Sequence, residues 1–222
     1  MSQHQSPGYR TLASFSRITL LFHLQQRGAM TVLDLAEAAG LGGSAIREHL
    51  QRLIGDGFVT WQSEHKDAKG RPRILYSAAA GADNRDGCVR EAKALAAERR
   101  GDQLRILLPI EAVLNPALQR QLDTLDDHLD QTGFDAKLAA DGRHVYLHEC
   151  PYSDMAKAHP EVCRVHFGLL KGILEQTDGP LSADALHAFV EPNTCTLDIG
   201  RTDDGGPRPE TAHPARRHRA VR

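Results

Sequence analysis

Three cysteines lie in the last third of this 222-residue chain. Cys150 and Cys163 have twelve residues between them in HECPYSDMAKAHPEVCRVHFGLLKGILEQ, and Cys195 follows in PNTCTLDI. Thiolates are soft ligands that suit zinc and iron–sulfur clusters. The spacing differs from the Cys-x-x-Cys pattern of common zinc sites, so tertiary folding must assemble any site that these residues form. We expect three short elements to converge on one metal-binding point.

The fourth ligand of such a site stays open. His166 lies one helical turn after Cys163 and is the first candidate, and a histidine in place of a thiolate would raise the potential of a cluster. The weaker candidates are His148, His159, His187 and Cys88. The alternative for the cysteines is that they are buried, inert thiols, because cysteine is often fully buried.

The first third of the chain has the pattern of a different kind of domain. Thr31 and Asp34 have the spacing of a capping box, which opens a helix. The predicted order is helix Arg17–Arg27, helix Val32–Ala39, the turn AGLGGS, helix Ser44 to about Asp56, strand Phe58–Glu64, the loop HKDAKGRP and strand Arg73–Ser77. This order is that of a winged helix-turn-helix. We assign residues 10–80 to it.

The third helix of this domain would be the one that enters the major groove of DNA. With its apolar positions assigned to the core, we expect Ser44, Ala45, Arg47, Glu48 and Gln51 to face DNA, and Lys69, Arg71 and Arg73 of the wing to do the same. An arginine can donate two hydrogen bonds to guanine, and basic wing residues suit phosphates. The alternative is a structural domain with a solvated charged face.

The rest of the chain predicts a helical segment and a small α+β domain. Residues 88–133 contain two helical patterns, Val89–Arg100 and Ile110–Thr132, and an apolar stripe from Val113 to Leu129. We expect the stripe to form a homodimer interface, because paired DNA half-sites require a two-fold dimer; the alternative is packing on its own chain. Residues 134–200 follow as an α+β sensor domain with four strands and one helix. Residues 201–222 are expected to be a disordered basic tail.

Composition and charge exclude several classes. The chain has no apolar run long enough for a membrane span and no signal-peptide pattern, so we expect a cytoplasmic protein. Net charge is −2, but residues 10–80 carry nine basic and six acidic residues, whereas residues 81–200 carry twelve and twenty. A basic domain followed by an acidic one is typical of a nucleic-acid reader joined to a domain of another function.

Two resemblances sharpen this reading. The segment MTVLDLAEAAGLGGSAIREHLQRLIGDGFVT with GRPRILYS resembles the ArsR-like and MarR-like winged-helix regulators. HECPY, then VCRVHFGLLKGILE, then a cysteine that opens the last strand, resembles the SufR family. The resemblance implies a repressor whose C-terminal domain binds a 2Fe–2S or 4Fe–4S cluster. The family's cysteines map onto Cys150, Cys163 and Cys195, although 31 residues separate the last two here and no further cysteine follows.

The expected protein is therefore an α+β, homodimeric transcriptional regulator, and not an enzyme, that binds a double-stranded DNA operator and senses iron–sulfur or redox status. One alternative is a regulator with zinc, structural or sensed, on the same cysteines. Another is a thiol enzyme in which His166 serves Cys163 as a base. No Gly-rich substrate loop or oxyanion-hole motif favours the enzyme.

Overall fold

The computed structural model describes residues 7–64, 72–79, 95–103 and 115–201. The predicted tail beyond residue 201, Cys88, and the wing residues Lys69 and Arg71 lie outside these ranges. So do residues 104–114, which include the start of the predicted apolar stripe.

The N-terminal part has four helices and a two-stranded sheet. Their bounds are α1 Pro7–Leu12, α2 Phe15–Arg27, α3 Val32–Ala39, α4 Gly43–Gly55, β1 Val59–Ser63 and β2 Ile74–Ala78. The capping box is confirmed, because Thr31 Oγ1 accepts from the Asp34 N–H while Asp34 accepts from Thr31. Gly40 ends α3 in the left-handed region, which glycine adopts without strain. Ile18, Leu35 and Leu50 are buried where these helices meet.

Helix α1 lies before Arg17–Arg27, the first helix that the sequence patterns predict. Pro7 begins this helix and Tyr9 lies within it. Its signal is weak because six residues are too few for a periodic apolar pattern. The helix exists through tertiary contacts, since it packs on α2 and on a later helix.

The C-terminal part is an antiparallel sheet covered by helices. Residues 95–103 form α5. The other elements are α6 Pro116–Thr132, β3 Asp135–Leu138, β4 His144–His148, α7 Ser153–Ala158, α8 Glu161–Gln176, β5 Leu181–Glu191 and β6 Thr194–Arg201. The strand order is β3-β4-β6-β5. The α+β class is as expected, but α7 was not predicted. Strand β5 also begins at Leu181, whereas the sequence pattern predicts a strand only over Leu186–Val190.

Helix α6 corrects the reading of the apolar stripe. The helix begins at Pro116 and has Asn115 as its N-cap, whereas a start at Ile110 was expected. Leu118, Leu125 and Leu129 are buried in the core of this same chain. The described leucines of the stripe therefore pack on their own chain, which is the alternative that was weighed. The role of residues 88–133 in dimerisation stays a prediction.

A buried glutamine ties α6 to the sensor domain. The Gln121 amide nitrogen donates to the carbonyls of Leu174 and Leu181, at 2.8 and 3.0 Å, and its oxygen accepts from the Leu181 N–H at 2.7 Å. Gln121 therefore joins the end of α8 and the start of β5 to α6 through buried hydrogen bonds.

The two parts share one hydrophobic core. The buried residues of the winged-helix elements and those of the four-stranded sheet belong to a single contiguous cluster. The most extensive helix–helix contact between the parts joins α2 to α8. Within the described ranges, no helix combines the length and the apolar character needed to cross a membrane.

Candidate metal centre and nucleic-acid interface

Helix α4 has the geometry expected of a DNA-reading helix. It buries Ile46, Leu50 and Leu53, so the opposite side faces solvent. Ser44, Arg47, Glu48 and Gln51 are exposed, and Ala45 is half-buried. Gly42 and Gly43 at the start of the helix have no bulky side chain to keep a phosphate away from the N-terminal N–H groups, which attract anions.

One predicted DNA contact, Glu48, has a partner on its own helix. Glu48 lies 3.6 Å from Arg52, and this exposed ion pair on one helical face occupies the carboxylate that was expected to accept from cytosine. Such a pair is worth little in water and can open on binding. Arg73 is exposed at the start of the returning strand. Lys69 and Arg71 lie outside the described residues.

The three C-terminal cysteines come from three different elements of one domain. Cys195 lies on β6, directly opposite Leu147 of β4, and is buried. Cys150 follows the end of β4, and Cys163 lies in the first turn of α8. Cys150 and Cys163 are half-buried. Cys150 interacts electrostatically with Cys195 and Cys163, and Cys163 interacts with Cys195.

Burial makes these thiols reluctant to ionise. Loss of solvation raises the pKa of Cys150 to about 11, and the neighbouring Cys195 and Cys163 contribute in the same direction. Burial also raises the pKa of Cys163, with Cys195 again adding to it. The Cys150 and Cys163 thiols are therefore uncharged at neutral pH, and a thiophilic metal must displace their protons when it binds.

Backbone strain is concentrated around this site. Among the described residues, the non-glycine residues with positive φ are Glu149, Phe189 and Asn193, with φ of 51°, 56° and 59°. Glu149 directly precedes Cys150. Asn193 lies in the tight turn between β5 and β6, and its carbonyl accepts from the Cys150 N–H at 3.0 Å. Strained backbone of this kind clusters at functional sites, where the surrounding structure holds it.

A cation stands beside the thiols. The Lys157 ammonium lies 3.4 Å from Asn193 Oδ1 and 5.9 Å from the centre of the Phe189 ring. It also lowers the pKa of Cys150, against the larger effect of burial. The sequence reading missed Lys157, Phe189 and Asn193. A Pro-Asn turn signal marks the tip of the hairpin, but no local pattern shows that this tip reaches Cys150.

His166 is buried in a ring stack. It lies parallel to Phe134 at 4.5 Å and faces His128 at 6.3 Å. Burial lowers the pKa of His166 to about 4, so the ring is neutral. Its Nε2 atom is buried, and no group within the described residues hydrogen-bonds to it. The role of His166 as a fourth ligand stays a prediction.

The other three candidate histidines have other partners. His148 stacks on Tyr146. His187 lies 2.8 Å from Asp198. His159 packs against Phe15 at 4.0 Å between ring centres. His148 also lies 3.4 Å from Thr194 Oγ1, next to Cys195. The roles of the three histidines as ligands stay predictions.

The arrangement bears on the kind of metal that the site suits. A zinc ion requires its thiolates about 2.3 Å from one point. In the described part of the chain, no group of three or more His, Cys, Asp or Glu side chains is arranged to hold a single metal ion. An iron–sulfur cluster is larger than one ion, so its ligands stand farther apart. Whether the three cysteines hold a cluster or zinc stays a prediction.

Comparison with known proteins identifies the N-terminal domain. Residues 16–60 match the family described as winged helix-turn-helix DNA-binding. This match covers less than half of the chain. No curated protein matches this chain.

Some solved structures are similar over part of the chain. The adhesin competence repressor AdcR from Streptococcus pyogenes is 16% identical, with a TM-score of 0.27, over 53% of this chain and 75% of that one. BpsR from Bordetella bronchiseptica, whose DNA binding is regulated by 6-hydroxynicotinic acid, is 18% identical, with a TM-score of 0.26, over 53% and 79%.

NMB1585, a MarR family regulator from Neisseria meningitidis, is 19% identical, with a TM-score of 0.26, over 54% and 78%. TM-scores this low carry no argument about ligands. The family match and the geometry of α2 to β2 together show that the chain has a winged helix-turn-helix DNA-binding domain, followed by a small α+β domain that carries the cysteines.

Proposed function

We propose that this protein is a transcriptional regulator that changes its DNA affinity with the state of Cys150, Cys163 and Cys195. The observation that carries the proposal is the direct packing of α8, which bears Cys163, on α2 of the DNA-binding domain. A domain that only stabilised the protein would not need its cysteine-bearing helix at that junction. The SufR resemblance agrees with an iron–sulfur cluster as the occupant and with a repressor as the class.

The contact between α2 and α8 is close. Gln25 donates from its amide nitrogen to the Val165 carbonyl at 3.2 Å. A Cβ at Gly168 would lie 2.6 Å from the Gln25 amide nitrogen, so only glycine leaves the space that this side chain fills. The Arg164 guanidinium lies 5.9 Å from the centre of the Phe22 ring. A rotation of α8 by a fraction of a turn would therefore have to move α2.

The chemistry of the chain provides two states for this junction. Metal-bound thiolates draw the Cys150 loop, the start of α8 and β6 toward one centre. Free thiols are protonated at neutral pH because burial raises the pKa of Cys150 and of Cys163, and nothing then draws the three elements together. A cluster, when bound, would supply a group that oxygen, oxidants or iron shortage can remove. Each 1.4 kcal/mol by which the thiolate state favours one orientation of α2 changes DNA affinity about tenfold.

The partners follow from the DNA-binding domain. We propose a double-stranded operator contacted by Ser44, Ala45, Arg47 and Gln51, with Arg73 near the phosphates. A homodimer would give two recognition helices for two half-sites. Since the described leucines of α6 are core, other surfaces must form its interface.

The test combines spectroscopy with DNA binding. Full-length protein purified without oxygen is expected to be brown and to contain iron and sulfide, and Cys150→Ser, Cys163→Ser and Cys195→Ser to lose both. Duplexes selected from random DNA with the purified protein provide the probe. Their affinity should differ between cluster-loaded and metal-free protein, and Cys88→Ser serves as the cysteine control. If the purified protein is colourless and holds stoichiometric zinc, the occupant of the site is zinc and not a cluster. The proposal would be refuted if DNA affinity were the same in cluster-loaded and metal-free protein.

A further inference from the structure

The segment between Cys150 and Cys163 is held by the first residues of the chain. The Tyr9 ring of α1 stacks on Tyr152, with ring centres 5.7 Å apart and planes within 21°. Tyr152 comes two residues after Cys150, and its backbone N–H hydrogen-bonds the Cys150 thiol. Tyr9 therefore touches the residue that positions one of the candidate ligands, although 142 residues lie between Tyr9 and Tyr152 in sequence.

The Cys150 loop is closely packed from both sides at this point. The Tyr152 hydroxyl donates to the Thr132 carbonyl at 2.9 Å and is buried. A Cβ at Gly133 would lie 3.4 Å from Tyr9 Cδ2 and 3.5 Å from Pro151 Cγ, so Tyr9 and Pro151 meet over this glycine. The Tyr9 ring closes one side of the loop, and the end of α6 closes the other.

Helix α1 is anchored to the DNA-binding domain. The Arg17 guanidinium of α2 donates from Nε to the Thr11 carbonyl at 2.5 Å and from its terminal nitrogen to the Arg10 carbonyl at 2.8 Å. Arg17 is buried, so these charge-assisted bonds are protected from water. At the start of α2, Phe15 packs on His159, which lies between the two cysteines.

We propose that Tyr9 is a positioning residue of the cysteine site: its ring holds the Cys150 loop against α1 and, through the Arg17 anchor, couples that loop to the DNA-reading helices. The inference rests on the proposed function and deepens it. It names a second connection beside α2–α8, formed by residues from the N-terminal end of the chain. Release of the Cys150 loop would pull on α1, and α1 would pull on α2.

The first experiment uses metal-free, reduced, full-length protein, so it does not depend on any cluster. We would compare Tyr9→Leu with Tyr9→Phe, which keeps the ring, and with Tyr146→Leu, a matched change at an exposed tyrosine on the other face of the sheet. Alkylation of each cysteine by iodoacetamide would be followed by peptide mass spectrometry. Loss of an aromatic pair should speed the reaction of Cys150 by about threefold to tenfold in Tyr9→Leu. Tyr9→Phe and Tyr146→Leu should react as the unchanged protein does.

Cys195 is the internal reference, because it lies on β6. Faster alkylation of Cys150 alone supports the inference. An unchanged Cys150 rate in Tyr9→Leu overturns it, and equal acceleration of Cys150 and Cys195 also overturns it, since that result means general loosening of the domain.

The second experiment measures coupling. The affinity for a selected duplex is compared between metal-free protein and protein reconstituted anaerobically with iron and sulfide. In Tyr9→Leu the ratio of the two affinities should fall toward one, while Tyr9→Phe keeps the ratio of the unchanged protein. If Tyr9→Leu keeps the same ratio of affinities as the unchanged protein, the coupling is rejected. If the unchanged protein binds DNA equally well in both states, the proposed function fails. The alkylation result still decides whether Tyr9 positions Cys150.

Discussion

Single residues around the thiols combine low polarity with unusual backbone. Burial raises the pKa of Cys150 and Cys163, and all three described positive-φ residues other than glycine stand next to the site or form its walls. A buried thiol that is neutral when free becomes charged when it binds a metal, so metal binding changes the local charge of the site. Lys157 and His166 are the neighbours whose contributions can be measured separately.

Lys157 should favour the metal-bound state. Three thiolates around a divalent ion form a centre of charge −1, once their protons have left, and a nearby ammonium stabilises this charge. We expect Lys157→Met to weaken Cd²⁺ binding by the metal-free protein about twofold to fivefold at low salt, a modest effect because Lys157 is exposed. Competition titration with a chromophoric chelator measures it. Lys157→Arg should retain the affinity, as should Lys171→Met, which removes a lysine paired with Glu175 on α8. Equal affinities of Lys157→Met and the unchanged protein would show that the ammonium plays no part.

His166 should make stability depend on acid pH. Its pKa is lowered to about 4 in the folded protein, so between the ordinary histidine pKa and this value the unfolded chain binds a proton that the folded chain does not. The free energy of unfolding contributed by the neutral ring is present above about pH 6.5 and is lost as pH falls toward 4. The loss amounts to about 2 kcal/mol between about pH 8 and about pH 5.

Urea denaturation of metal-free protein at several pH values gives this dependence. His166→Phe keeps an aromatic ring against Phe134 and should flatten it. The same acid dependence in both proteins would assign the titration to another group. If His166→Phe also reduces the iron content of anaerobically purified protein, His166 is a ligand as well as a packed ring.

At the scale of elements, the junction of α2 and α8 determines how the domains respond to each other. Helix α2 contacts α8, α3, α4 and β2, so it has little freedom to move independently of them. A helix with that many partners cannot shift without moving the recognition helix α4. The close approach at Gly168 is the point where this junction is most sensitive to a small change.

Gly168→Ala should change coupling more than stability. The added methyl group would displace the Gln25 amide and break its bond to Val165, which costs about 1 kcal/mol. Alanine in a helix interior gains about 1 kcal/mol over glycine, so the two effects nearly cancel. We expect an unfolding free energy close to that of the unchanged protein and a smaller effect of the thiol state on DNA affinity. Gln25→Ala loses the bond without the gain and should be less stable. A loss of several kcal/mol in Gly168→Ala would mean that the helix backbones, and not one side chain, are in collision.

The whole molecule joins a basic reader to an acidic domain. Residues 10–80 carry a net charge of +3, whereas residues 81–200 carry −8. An acidic surface repels phosphates, so this division of charge favours DNA contact through the basic part.

The DNA affinity of the full chain should fall steeply with salt, as for any reader that releases counterions. Arg47→Ala is expected to lower affinity for a selected duplex about tenfold to a hundredfold, since it removes a base contact worth about 1–3 kcal/mol. Affinity for random DNA should change much less. Arg27→Ala removes an exposed charge at the end of α2 and serves as the control. Equal losses on both kinds of DNA would make Arg47 a phosphate contact.

The sequence by itself determined the local features. Apolar spacing and the Thr31–Asp34 capping box located α2, α3 and α4, because a helix of two or more turns with a cap is specified by residues near one another. The order of the cysteines predicted a shared site, since all three thiols lie in one small domain. The tertiary structure decided the features that join distant residues, among them helix α1, the inward packing of the α6 leucines, the ring stack of His166 and the contact between Tyr9 and the Cys150 loop. No local pattern encodes such contacts, because each depends on how two separately stable elements pack.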